Sequence, residues 1–151
     1  MNKKRKFLTI TGGVSALAIA LLVTFNTSVF SDEIVKKGSK QVEVETNVKN
    51  IAIKTFDINT KNEKVLYNSD VFNDKIATES ADIRSKLLIA IGMLTDDKTL
   101  VPGDKIPVYF LNGNNKVSIA IAHADGTISL TKFDISKNEP VKIDHIIREA
   151  K

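Results

Sequence analysis

The 151-residue sequence contains no cysteine and no tryptophan. Thiol catalysis, cysteine-held metals, lipid attachment to a cysteine and disulfide bridges are therefore excluded, and the folded part must be stabilised by its hydrophobic core. The two histidines, His123 and His145, lie in no HExxH motif and beside no carboxylates at metal-ligand spacing. No glycine-rich phosphate loop and no Gly-x-Ser-x-Gly elbow occurs. The sequence therefore predicts no cofactor and no metal site.

The folded part also lacks an excess of charge of one sign. The chain has 22 basic and 18 acidic residues, but four of the basic residues, Lys3, Lys4, Arg5 and Lys6, precede the first acidic residue, Asp32. From Asp32 onward the two signs balance at 18 each. A nucleic-acid-binding domain carries its positive charge on the folded surface, where it meets phosphates. We therefore expect no nucleic-acid partner.

The first segment has the parts of an export signal. Basic residues 3–6 precede an uncharged run, residues 7–31, which is apolar in its middle. This pattern predicts a signal peptide over residues 1–31, cleaved after Ser31. The alternative is a retained anchor that contacts the membrane through residues 7–25, because the uncharged run is long enough to cross a bilayer. Both interpretations predict an extracytoplasmic domain, either secreted or anchored to the cell membrane.

Beyond this segment the chain divides into a linker and one domain. Residues 32–40 are polar and of mixed charge, which is typical of a linker, and residues 41–151 have the length of a single domain. Lysine, isoleucine and asparagine are abundant, which favours a bacterium with an AT-rich genome. The expected setting is a bacterial cell envelope.

An internal repeat is the most informative pattern in the domain. The apolar residues of Ile51–Ile58 and Ile128–Ile135 have identical spacing, and both stretches contain Phe-Asp-Ile. In each copy the apolar residues change parity before the phenylalanine, which predicts a strand with a bulge, at residues 54–55 and 131–132. A polar turn and a returning strand are expected after each copy. True duplication and chance recurrence of a common hairpin composition both remain open.

Other periodicities complete the predicted architecture. Val42, Val44 and Val48 alternate with polar residues, which predicts another half-buried strand. Apolar residues between Ile83 and Leu94 recur at i, i+4, i+7, i+8 and i+11, which predicts a buried helix.

Turn signals divide the remaining chain into strands. Residues 106–111 and 116–123 are predicted as strands, and Asp125-Gly126 is predicted as a two-residue hairpin turn. A short closing helix over residues 144–150 is a further expectation. The predicted fold is α+β, an antiparallel sheet of hairpins and a meander with one main packed helix.

Three residues are candidate binding residues: His123, Asp57 and Asp134. His123 shares the parity of the apolar residues before it, and Asp125 follows two residues later, so a general base held by a carboxylate is one interpretation. A core-edge histidine beside a turn aspartate is the other. Asp57 and Asp134 recur in the repeat, either for binding or as solvated turn residues. No residue is assigned as catalytic.

The leading functional hypothesis is a non-enzymatic module that binds a protein or a cell-envelope component. The first alternative is a small secreted hydrolase that uses His123 with a nearby carboxylate. The second is a self-associating surface or structural subunit. The sequence leaves the oligomeric state open.

Overall fold

The computed structural model describes residues 34–72, 81–113 and 115–151, with side-chain environments from Lys40 onward. The described residues all belong to one compact unit, residues 31–151. The predicted signal or anchor over residues 1–31, and the first two residues of the predicted linker, lie outside the described residues. Among the residues that are described, no helix combines the length and hydropathy needed to cross a membrane.

The described part of the chain forms three α-helices and a five-stranded sheet. The helices are α1 (Ile34–Phe56), α2 (Asn68–Phe72) and α3 (Ala81–Asp96). The strands are β1 (Glu63–Tyr67), β2 (Val108–Asn112), β3 (Lys116–Ala122), β4 (Thr127–Asp134) and β5 (Val141–Glu149). All neighbouring pairs are antiparallel, in the order β1-β2-β3-β4-β5. The predicted α+β class and the predicted packed helix, α3, are confirmed.

Helix α1 occupies the region in which the sequence predicted two strands. Its buried side chains recur every three or four residues, at Glu45, Val48, Ala52 and Thr55. That period is one face of a helix, whereas Val42, a residue of the predicted alternation, is 58% exposed. The strand predictions over residues 42–48 and 51–58 are wrong, because strand propensity of β-branched residues is a weak preference that helical burial overrides. Helix α1 also begins inside the predicted linker, at Ile34.

The three central strands of the sheet, β2 to β4, carry buried residues on both faces. The face that packs on α1, which we call the α1 face, shares a core cluster of Val48, Ala52, Val108, Phe110, Ala120, Ile128 and Leu130. The opposite face, the second face, carries fully buried Tyr109, Ile119 and Phe133. At the start of α3, Ile83 lines a cavity with Leu111, which has the parity of Tyr109. Helix α3 therefore lies over the second face.

Burial on both faces explains the parity change within the second repeat copy. In β4, Ile128 and Leu130 point to the α1 face, and Phe133 points to the second face. All three are buried, because a strand covered on both sides can carry apolar residues of either parity. Phe56, its counterpart in the first copy, lies only half-buried at the end of α1. The two copies are therefore not equivalent hairpins.

A bulge does occur near the predicted position, but on the neighbouring strand. Lys132 pairs with Asp144, and Phe133 pairs with Lys142, so Ile143 is the extra residue on β5. The chain from Val141 to Glu149 is one continuous strand. The predicted closing helix over residues 144–150 is therefore wrong, because strand pairing with β4 satisfies this backbone instead.

The β3–β4 hairpin has a three-residue loop instead of the predicted two-residue turn. The Gly126 N–H donates to the His123 carbonyl, and the His123 N–H donates to the Thr127 carbonyl. Gly126 has φ of +88°, which is the left-handed residue that closes such a loop. This loop places His123 at the end of β3.

Candidate functional site

A chain of three polar side chains lies at the end of the β3–β4 hairpin. The Nδ1 atom of His123 lies 3.0 Å from Oδ2 of Asp104, and Nε2 lies 2.8 Å from Oγ of Ser129. Because a carboxylate only accepts hydrogen bonds, Nδ1–H of a neutral ring donates to Asp104, and Nε2 accepts from the Ser129 hydroxyl. This is the order of groups found in serine hydrolases, aspartate to histidine to serine.

The carboxylate of Asp104 is held by the backbone around it. Its Oδ2 also accepts from the Val101 N–H at 3.0 Å, and Oδ1 accepts from the Ala124 N–H at 3.4 Å. The next residue, Lys105, donates its N–H to the Ala122 carbonyl, which joins this loop to β3. The carboxylate that faces His123 is therefore Asp104, which is 19 residues away in sequence, and not the neighbouring Asp125.

The serine of this chain is closed to solvent. Ser129 has no exposed surface, and it lies on the second face within β4, between Ile121 of β3 and Ile147 of β5. A nucleophile must reach its substrate, so Ser129 cannot attack an external molecule from this position. What the arrangement does here is satisfy a buried hydroxyl and lock the hairpin to the loop that carries Asp104.

A second histidine, His145 of β5, makes the same kind of contact with the hydroxyl of another β4 residue. Thr131, also fully buried, lies two residues after Ser129 on the same face, and its Oγ1 lies 2.9 Å from Nδ1 of His145. Burial lowers the pKa of His145 below its usual value, and the nearby charge of Lys142 acts in the same direction. Two buried hydroxyls of β4 are thus each satisfied by a histidine of a neighbouring segment.

The three predicted binding residues are dispersed over the fold. Asp57 follows the last turn of α1 with φ of +54°, the left-handed conformation that ends many helices. Asp134 ends β4 at the other end of the strand from the His123 hairpin, and its Oδ1 accepts from the Ser136 N–H at 2.8 Å. Hydrogen bonds from the Ser136 hydroxyl and from the Ser136 N–H lower the pKa of Asp134. Both aspartates thus have local backbone roles, and neither contacts His123.

A buried carboxylate lies between α1 and α2. Glu45 is 1% exposed, its pKa is raised by burial, and it accepts from the N–H groups of Ser69 and Asn68 at the start of α2. Asn68 in turn accepts from the Tyr109 hydroxyl at 3.1 Å. Glu45 therefore joins α1 to the start of α2. Glu45 was not among the residues predicted from the sequence, because residues 42–48 were interpreted as a strand and not as a helix.

Strand β5 is the most accessible apolar feature of the described residues. It is an edge strand nine residues long, paired only with β4 among the described strands. Val141, Ile143 and Ile147 are 52%, 53% and 57% exposed. An edge that is both long and apolar offers unpaired N–H and C=O groups to any extended segment.

The two cations nearest this edge are directed back toward their own chain. Lys142 forms an ion pair with Asp97 at the end of α3. Arg148 donates to the Thr55 carbonyl at 3.0 Å and lies 5.5 Å from the centre of the Phe56 ring. Charged side chains on an edge commonly discourage strand pairing, but these two already contact groups of their own chain. Arg148 nevertheless stays exposed to solvent.

The opposite edge strand differs in both length and surroundings. β1 has five residues, and helix α2 follows it directly. Short edge strands are poor templates for pairing with another chain. The two edges therefore offer very different opportunities for strand addition.

A shallow cavity lies at the end of the sheet far from His123. Its volume is about 350 Å³, and it is lined by Asn62, Lys64, Ile83, Leu111, Asn112, Gly113, Asn115 and Ile135. None of the predicted binding residues lines it. Over residues 34–72, 81–113 and 115–151, no three histidine, aspartate or glutamate side chains lie close enough together to hold a metal ion.

Comparison of the chain with protein-family models, with curated proteins and with solved structures found no match.

Proposed function

We propose that this protein is a non-enzymatic protein-binding module that takes an extended segment of its partner along the outer edge of β5. The exposed apolar edge carries this proposal, since Ile143 and Ile147 are each more than half exposed on a strand that pairs on one side only among the described strands. In strand addition, backbone hydrogen bonds supply affinity, and side chains of alternate residues supply specificity.

The direction of the backbone groups on β5 makes the proposal testable. The Ala150 N–H donates to the Gly126 carbonyl, so the backbone of residue 150 faces β4. Because N–H groups alternate along a strand, those of His145, Ile147 and Glu149 point outward. Removal of an outward N–H should therefore affect a partner without breaking the pairing with β4.

The test compares two variants of Ile147 in the intact chain inside cells. A photo-crosslinking amino acid at position 143 reports whatever lies along the edge. Ile147→Pro removes the outward N–H and is compatible with an edge position, whereas Ile147→Thr keeps that N–H and keeps a β-branched side chain. We expect adducts in the parent and in Ile147→Thr, and at least a tenfold loss in Ile147→Pro at an unchanged melting temperature. Equal adducts in both variants would contradict the proposal.

We also propose that the domain lies outside the cytoplasmic membrane, either secreted or anchored by the N-terminal segment. The basic cluster at residues 3–6 and the uncharged run that follows support this location. Protease added to wall-stripped cells should degrade the chain beyond Asp32. Full protection in intact, wall-stripped cells is the contrary result.

A small hydrolase is a second candidate, favoured by the Asp104–His123–Ser129 hydrogen-bond chain. The complete burial of Ser129 argues against it. A fluorophosphonate probe, which labels activated serines, separates the two candidates on the native protein. The binding module predicts no labelling; labelling that disappears in both Ser129→Ala and His123→Ala would establish the hydrolase instead.

A further inference from the structure

The alternation of backbone groups on β5 restricts how two copies of this strand could pair with each other. Outward N–H and C=O groups belong to His145, Ile147 and Glu149, as the inward N–H of Ala150 requires. In an antiparallel pair related by a two-fold axis, outward residues must face outward residues. The axis must therefore pass through a residue, such as 145, 146 or 147, and not between two residues.

Charge decides between the registers that this geometry allows. With the axis at Ile146, Asp144 of each copy faces Arg148 of the other, and His145 faces Ile147. With the axis at His145, Asp144 faces Ile146, and with the axis at Ile147, Arg148 faces Ile146. Neither of these registers brings Asp144 opposite Arg148. Opposite charges across a strand pair are stabilising and like charges are destabilising, so the Ile146 register is favoured.

The side chains of this register also lie on one face. Asp144, Ile146 and Arg148 pair with Lys132, Leu130 and Ile128, so they share the α1 face. Around the axis, Ile146 would meet Ile146 of the second copy, with an Asp–Arg pair on each side. Asp144 lies 3.4 Å from Lys132, both about half exposed, so its carboxylate is accessible to a second cation.

We propose that the partner at the β5 edge is a second copy of this chain, paired antiparallel about Ile146 into a continuous ten-stranded sheet. This inference rests on the proposed function and names its partner. The two Asp144–Arg148 ion pairs and the Ile146–Ile146 contact favour a second β5 strand over an unrelated strand as the partner, because the edge of β5 is complementary to itself.

Because the chain contains no cysteine, single introduced cysteines can report the register of the two β5 strands through disulfide formation. At the Ile146 axis the two residues form a non-hydrogen-bonded pair, with Cα atoms about 4.5 Å apart, which is within the range of a disulfide. Under mild oxidation of the intact chain, Ile146→Cys should give a disulfide-linked dimer. His145→Cys, Ile147→Cys and the exposed Glu139→Cys, which lies before β5, should give at least tenfold less.

Dimers from His145→Cys or Ile147→Cys instead would overturn the proposed register. No dimer from any β5 cysteine, together with a monomer in sedimentation, would overturn self-pairing. In that case the loss of adducts in Ile147→Pro would still support strand addition by a different partner, so the two proposals fail separately.

A charge-exchange cycle provides an independent test. Asp144→Arg and Arg148→Asp each place like charges opposite each other and should weaken the dimer at least tenfold in sedimentation. The double variant restores both pairs and should recover most of the association, with melting temperatures reporting any loss of the Arg148 contacts to α1. A double variant that is folded and no more associated than the single variants would contradict the proposal.

Discussion

The stretches Ile51–Ile58 and Ile128–Ile135 have the same apolar spacing and fold differently. The first closes helix α1, and the second forms strand β4. The difference lies in their surroundings: the first continues a helical stripe that includes Val48, whereas the second follows the left-handed Gly126 of a hairpin. Eight residues of pattern do not determine an element when flanking residues extend one period or the other.

The comparison predicts unequal costs for removal of the two phenylalanines. Phe133→Ala should lower the free energy of unfolding by about 3–5 kcal/mol, because Phe133 is fully buried and its loss leaves a cavity. Phe56→Ala should cost about 1–2 kcal/mol, because Phe56 is half-buried and packs partly under Arg148. Denaturant melts of both variants measure this. Equal losses would mean that the two copies share one environment.

Proline substitution in α1 tests whether the element that contains the first copy is a helix. Asn47 is exposed in the interior of α1, so Asn47→Pro should cost about 3 kcal/mol or more. Asn47→Ala at the same site should stabilise by about 0.5 kcal/mol, because alanine is the better helix former. Thermal melts give both values. Destabilisation by alanine would indicate a strand at this position.

Acid sharpens the comparison, because only the second copy carries a hydroxyl bonded to a histidine. The pKa of His145 is lowered by burial, so near the ordinary histidine pKa of 6.5 the unfolded state binds more protons than the folded state. Stability should therefore fall as the pH drops through the usual histidine range. His145→Gln keeps a group that can bond Thr131 and does not titrate, so it should lose less stability over the same range. An identical pH profile in the variant would exclude His145 as the cause.

The smallest contrast concerns the two aspartates. Asp57 has a positive φ that glycine adopts without strain, so Asp57→Gly should stabilise by up to about 1 kcal/mol. Asp134→Gly should lower the melting temperature, because it removes the acceptor of the Ser136 N–H and weakens a strand end. Shifts of the same sign would show that the conformations at the two sites are alike.

Long, strongly periodic segments were predictable from the sequence, and the segments that depend on distant contacts were not. Helix α3 followed from the spacing between Ile83 and Leu94, and the β3–β4 hairpin from its turn residues. Helix α1 was missed because Val42, Val44 and Val48 share the parity of a strand, although only Val48 is buried in the helix. Strand β5 was missed beyond its start, because none of its residues is fully buried and its sequence shows no clear alternation.

Only the direction of the His123 side chain was predictable from the sequence, because it follows from the parity of β3. The parity of His123 with the apolar face of β3 was correct, since His123 contacts Ser129 on that face. Its carboxylate partner, Asp104, comes from a loop that only the tertiary fold brings near. The contacts of His123 and His145 with the two buried hydroxyls of β4 could not be predicted without knowing that β4 lies between β3 and β5.

The contacts between α1 and the end of β5 determine when the fold can be completed. The Arg148 guanidinium and the Lys151 N–H both donate to Thr55, across 93 and 96 residues of chain. Contacts of such separation form late, because a long loop must be closed before they are made. Helix α1 therefore gains these two contacts only after the chain has been made as far as Lys151. Under the location proposed above, this late closure would keep the chain unfolded while it passes through a translocation channel.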